Sequence, residues 1–193
     1  MTTPAEELTL RPPEPQDESQ VRAAAEELAA ENFPFIWDVD RDWAHVLQQI
    51  EEERRGVNLP PGRVRATFLL ALLGDTVVGR TSIRHELTED LLNFGGHIGY
   101  AVRPAYRGRG LATAILSHSL DVLRQDGPDR ALLVCDQGNE ASARVSPSAV
   151  ASWRMFAAQV PAPYRCVATG STSPGRDPVA HERGTGQYSD GHE

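Results

Sequence analysis

The apolar positions change period several times along the chain, and each change marks an element. Leu8 and Leu10 alternate around Thr9 and run into Pro12 and Pro13, the pattern of a short first strand stopped by residues that cannot donate to a ladder. "DESQVRAAAEELAAE" then places Val21, Ala25 and Leu28 on one helical face. A second helix, "DRDWAHVLQQIEEERR", brings Trp43, Val46, Leu47 and Ile50 together. Asp40 is its candidate cap, and Arg54 and Arg55 complement its C-terminal dipole. "GVNLPPGR" breaks the chain, and two strands around a Gly74-Asp75 turn follow in "VRATFLLALLGDTVVGRTSIRHEL". "NFGGHIGYAVRP" is a third strand closed by Pro104. "RGLATAILSHSLDVLRQDG" is an amphipathic helix through Leu111, Ile115, Val122 and Leu123, and "ALLVCD" is a short buried strand holding Cys135. The order βααβββαβ predicts an α/β (α+β) domain.

That order ends abruptly. "NEASARV" opens a helix well, but from Ser146 the chain is dominated by Ser, Pro, Ala, Gly and Thr with no lasting period, too little apolar surface to offset ordering entropy. The expected organisation is one domain over residues 1–145 and a largely disordered tail over 146–193.

Composition narrows the partners. The chain has 193 residues, a length that suits one sizeable core, and a net charge of -8, which excludes the basic footprint of nucleic-acid binding. The N-terminus is acidic and polar rather than a signal peptide, and no apolar run approaches bilayer length, so no membrane association is expected. Cys135 and Cys166 form neither a disulfide framework nor a zinc spacing; a cytoplasmic protein with no metal is the expectation.

Candidate chemistry concentrates in "GYAVRPAYRGRGLATAIL". A strand delivers the chain into a turn with Arg107, Gly108, Arg109 and Gly110, and a helix starts at once, so unpaired backbone N–H groups converge on one point. Glycine permits close approach of a ligand, the helix start supplies partial positive charge, and Arg103, Arg107 and Arg109 add cations, a setting for a pyrophosphate. The spacing is neither the dinucleotide fingerprint nor a P-loop.

"VRPAYRGRGLA" resembles the acyl-CoA signature of the GNAT superfamily, Arg/Gln-x-x-Gly-x-Gly/Ala, filled by Arg107, Gly110 and Ala112. The strand order matches that fold, a mixed, mainly antiparallel sheet flanked by helices, and the resemblance covers about Leu8 to Val145. The block "IRHELTEDLLNFGGHIGY" is similar to a subgroup of acetyltransferases within it. The resemblance implies that Tyr100, Ala101 and Val102 pair with the pantetheine arm of acetyl-CoA. It likewise implies that Arg107, Gly108, Arg109, Gly110, Leu111 and Ala112 hold its pyrophosphate through their N–H groups, and that Asn139 and Ser142 lie near it. The acceptor would be a small-molecule or peptide amine, and an exposed edge strand leaves room for a homodimer.

Transfer to an amine asks for a base, and His97 stands where many superfamily members carry a glutamate; imidazole titrates in the right range. The other reading of His97 is a half-buried ring bonded to the neighbouring strand. His85 and Glu86 are weaker candidates. The superfamily's usual acid, a tyrosine after "NEAS", is missing, since the next tyrosine is Tyr164. "ENFPFIWDVDRDW" interleaves Phe33, Phe35, Trp37 and Trp43 with Asp38, Asp40 and Asp42 where this fold shapes its acceptor site. These acids suit a cationic amine, and an aromatic core patch with solvated acids explains them equally.

The superfamily's closing helix and strands are missing or aberrant by sequence. With every codon shifted back by one nucleotide, Ala149 to Phe156 permits Cys-Gly-Gly-Val-Leu-Glu-Asp-Val, and Cys166 to Ser171 permits Met-Arg-Arg-Tyr-Trp-Ile, both family-like. A reading-frame slip near residue 146 would leave a CoA-binding but catalytically impaired relic.

Overall fold

The computed structural model describes residues 5–125, 130–135, 139–149, 153–158 and 165–170. Strands β1 (Leu8–Arg11), β2 (Ala66–Leu73), β3 (Thr76–Arg84) and β4 (Ile98–Val102) form an antiparallel sheet in the order β1-β2-β3-β4. Helices α1 (Glu18–Ala29) and α2 (Trp43–Arg55) intervene between β1 and β2, and α3 (Leu111–Gln125) follows β4. A second sheet has the order β5-β7-β6, built from β5 (Arg130–Val134), β6 (Trp153–Ala158) and β7 (Arg165–Gly170), with α4 (Glu140–Ala149) between β5 and β6.

The first sheet is buried on both faces, which explains why β2 reads "ATFLLALL" without polar alternation. Phe68, Leu70 and Leu72 pack with Val21, Leu28, Trp43, Val46 and Ile50 of α1 and α2. Leu69 and Ala71 point to the other face, toward α3 residues such as Leu111, Ile115, Leu116 and Leu120. Arg11 clamps Asp17 with two bonds of 2.7 and 2.8 Å, and Asp17 also accepts the Glu14 N–H at 2.7 Å, fixing the entry into α1. None of the described helices is long and apolar enough to cross a membrane.

Three boundaries differ from the sequence expectation. The cap of α2 is Asp42, whose carboxylate accepts the His45 N–H at 3.4 Å; Asp40 lies two residues further out, because the helix starts at Trp43. Asn93 to Gly95 of the expected third strand belong instead to a single π-type turn, Leu91–Gly95, and the strand starts only at Ile98. Cys135 sits just past the end of β5, half-buried rather than inside the strand.

The C-terminal region differs more. α4 continues past Val145 to Ala149, and two strands occupy part of the segment expected to lack structure. β7 pairs antiparallel with β5 from Arg130↔Thr169 to Val134↔Arg165, and β6 pairs with β7. Short apolar runs around Met155, Phe156 and Val167 suffice for this because pairing covers an edge of β5 that would otherwise stay open. The rest of the segment, including Tyr164 and residues 171–193, lies outside the described residues.

Candidate active site

The two sheets meet at one point. His97 N–H donates to the Leu132 carbonyl at 2.7 Å, and Leu132 N–H donates to His97 Nδ1 at 2.8 Å. Gly96 makes this approach feasible: its φ is +65°, and a Cβ there would lie 2.5 Å from the Leu132 oxygen. Beyond the junction β4 and β5 belong to different sheets, so among the described residues β4 has a strand neighbour on one edge only, β3. Tyr100, Ala101 and Val102 lie along this strand, directly before the glycine loop.

β4 leads into the glycine loop. A short 3-10 turn, Pro104–Tyr106, is followed by Gly108 and Gly110 in the left-handed region (φ +75° and +78°), and α3 begins at Leu111. The first α3 bond runs from Ala114 N–H to the Gly110 carbonyl, at 3.1 Å. No acceptor among the described residues meets the N–H groups from Gly108 through Thr113. The donors expected for an anion are therefore present and aligned with a helix start.

The arginines are distributed differently from the sequence expectation. Arg103 pairs with Glu27 through bonds of 2.9 and 2.6 Å, and Arg107 pairs with Glu31 at 2.9 and 2.7 Å while its Nε donates to the Val102 carbonyl at 3.0 Å. These pairs hold Glu27 and Glu31 below the usual carboxylate range and strap the end of α1 to the loop. Arg109 keeps its guanidinium over the Tyr106 ring, 5.6 Å from its centroid, and bonds the Ala105 carbonyl at 3.1 Å. Of the three cations only Arg109 has no carboxylate partner among the described residues.

Asn139 and Ser142 are engaged within the protein. Asn139 Oδ1 accepts the Ser142 N–H at 3.0 Å and caps α4, and the Ser142 hydroxyl lies 3.0 Å from the Tyr100 hydroxyl, linking α4 to β4. His85 Nε2 lies 2.8 Å from the Thr67 hydroxyl, and Glu86 is exposed.

His97 adopts the half-buried, strand-bonded arrangement. Burial, then the nearby Arg84 charge, pull its pKa down to about 4. The imidazole is neutral at pH 7, with Nδ1 accepting from Leu132 and the proton on Nε2. Because the folded pKa lies below the unfolded value, the unfolded chain binds more protons between about pH 6.5 and pH 4, and stability falls as pH drops through that window. For a partly solvated ring we expect a loss on the order of 1 kcal/mol between pH 7 and pH 5. Urea midpoints for the wild type and His97→Asn at both pH values check this; an equal loss in the variant assigns the effect to other groups.

A second concavity lies on the α1–α2 side of the sheet; Pro34 and Trp37 of its lining belong to the "ENFPFIWDVDRDW" stretch, whereas its arginines had no signal in the sequence. It encloses about 340 Å³ and is lined by Trp37, Glu53, Arg63, Arg80, Ser82 and Arg84, among others. Asp38, Asp40 and Asp42, expected to shape the acceptor site, are all exposed and line none of it. Phe35 and Trp43 are core residues, and Trp37 meets Phe68 edge-on at 5.3 Å.

The family model of the acetyltransferase (GNAT) domain matches residues 7–149, and the chain belongs to this family. Solved structures of similar fold include Mycobacterium smegmatis RimJ in complex with CoA-disulfide (20% identity, 86% of this chain and 81% of that chain, TM-score 0.59). Another is yncA, a putative acetyltransferase from Salmonella typhimurium with its cofactor acetyl-CoA (17% identity, 84% and 92%, TM-score 0.54). A third is the microcin C7 self-immunity acetyltransferase MccE in complex with acetyl-CoA and AMP (13% identity, 84% and 91%, TM-score 0.57). No curated protein matches the chain significantly.

Proposed function

We propose that this chain transfers the acetyl group of acetyl-CoA to the primary amine of a small molecule or peptide. The observation that carries the reading is the run of N–H groups from Gly108 to Thr113, without an acceptor among the described residues, at the start of α3 directly after β4. Acetyl-CoA supplies an activated thioester. The β4 edge around Tyr100 to Val102 aligns the pantetheine arm, and the loop amides with Arg109 hold the pyrophosphate. Arg107 contributes its N–H and shapes the loop through Glu31 rather than meeting the anion with its guanidinium. Fixing donor and acceptor in one cleft supplies much of the rate.

His97 holds the junction of the two sheets rather than taking the proton, because its Nδ1 lone pair is committed to Leu132 and Nε2 can only donate. The acceptor then loses its proton to solvent, and kcat/KM rises with pH up to the pKa of the amine. Calorimetric titration with acetyl-CoA, followed by thiol release across an amine panel, tests the assignment. A folded chain that binds no acetyl-CoA overturns it. An inflection in the pH–rate profile that disappears in His97→Asn restores the base role to the imidazole.

The second reading, a CoA-binding relic, rests on the out-of-frame character of the segment after Ser146. Acetyl-CoA binding without thiol release for any amine distinguishes it, and the nucleotide sequence over codons 140 to 180 tests its cause.

A further inference from the structure

The pocket on the α1–α2 side is unbalanced in charge. Glu53 is met by Arg63 at 2.9 Å, so its charge is accounted for, and burial raises the carboxyl despite that partner. Arg80 and Arg84 have no carboxylate within ion-pair reach among the described residues. They bond only to carbonyls: Arg80 to Gly99 at 3.0 Å and Pro34 at 2.8 Å, Arg84 to Gly95 at 3.3 Å and Gly96 at 3.0 Å. Arg80 is 8% exposed and its Nε is buried with no acceptor, an arrangement that leaves a charged donor unsatisfied. Burial and the neighbouring Arg84 charge lower its pKa to about 9, so at neutral pH it stays protonated in surroundings that oppose the charge.

Location gives this imbalance a use. A Cβ on Gly99 would lie 3.8 Å from Nη1 of both arginines, so the pair stands beside β4 one residue before the segment proposed to align pantetheine. A group held there would lie beside the start of that segment. Pro34 and Trp37 also line the pocket, and Arg63 stacks 4.5 Å over the Trp37 ring while it pairs with Glu53.

We propose that Arg80 and Arg84 bind a carboxylate on the acceptor, so that the chain selects small amines that also carry a carboxylate. This rests on the N-acetyltransferase reading above and narrows its acceptor. Guanidinium offers a planar fork that matches a carboxylate, and the desolvated site strengthens the pairing. A purely cationic polyamine is disfavoured there, because the guanidiniums of Arg63, Arg80 and Arg84 face the single carboxylate of Glu53, which attracts both Arg63 and Arg84.

The test separates this inference from turnover. With CoA bound, each of the twenty N-acetyl-L-amino acids is titrated against its carboxamide by calorimetry, which reads product-side binding with no chemistry. At least one acid is expected to bind ten-fold or more tightly than its amide, and Arg84→Gln should erase that preference while the Kd for CoA changes less than two-fold. Arg80→Lys, which keeps the charge but loses the fork, should reduce the preference partially. Dipeptides with an acidic or neutral second residue show whether the carboxylate belongs to a free small molecule or a peptide. Equal binding of acids and amides by CoA-competent protein overturns the proposal. So does an acid preference that survives in Arg84→Gln or is undiminished in Arg80→Lys, or a preference for aminoalkyl phosphates over carboxylates. Failure to bind CoA at all instead overturns the acetyltransferase reading.

Discussion

Gly96→Ala is expected to lower stability by about 3 kcal/mol or more, through two independent costs. Its backbone has φ +65° and ψ -175°, a region essentially restricted to glycine, and the new Cβ would lie 2.5 Å from the Leu132 carbonyl oxygen. The clash is with backbone, so no side-chain rotation relieves it. It can be relieved only by moving β4 away from β5, which breaks the paired bonds between His97 and Leu132. The urea midpoint should fall at unchanged m, and amide exchange should accelerate at His97 and Leu132 before it does in β2 and β3. An unchanged midpoint would mean that the two sheets do not meet at this residue.

The second large effect concerns the loop. Gly110 has φ +78°, and proline fixes φ near -65°, so Gly110→Pro must rebuild the turn that aims the N–H groups ahead of α3. Affinity for acetyl-CoA should drop at least 100-fold, equivalent to about 2.8 kcal/mol. Gly110→Ala provides the graded control: it meets open space, its nearest neighbour being Ala5 Cβ at 3.8 Å, so only the cost of the left-handed backbone applies, about 1 kcal/mol. Arg107→Ala should change the affinity less than three-fold, because its guanidinium is already held by Glu31 and Val102. If Arg107→Ala abolishes binding while Gly110→Pro does not, the anion is held by side chains and the backbone assignment is wrong.

How much of this was legible depended on the distance over which each feature is encoded. α1, the β2–β3 hairpin and α3 follow from local period, and the loop from Gly108 to Ala112 follows from its own glycines and the helix after it. The straps do not, since Arg103 and Glu27 are 76 residues apart, as are Arg107 and Glu31. Their consequence, that two of three expected phosphate cations are otherwise engaged, could come only from tertiary structure. The arginine pocket was hidden differently. In "TVVGRTSIR" the arginines at 80 and 84 share one face of β3, and nothing in the local period sets that face apart. Only tertiary contacts, the Phe33 and Phe68 rings and the Pro34 carbonyl brought against that face, make Arg80 a buried charge. The cap of α2 was missed by two residues because Asp38, Asp40 and Asp42 are chemically equivalent, and only the position of Trp43 decides between them.

The straps also bear on how such a loop tolerates change over time. With Arg103 and Arg107 turned toward α1, the positive character of the loop comes mainly from peptide groups, which every residue possesses. Selection can therefore let most side chains of the loop drift while holding the glycines that set its path. The solved relatives, at 13 to 20% identity, keep the architecture. The proposed anion site is thus set by the path of the chain more than by the side chains along it.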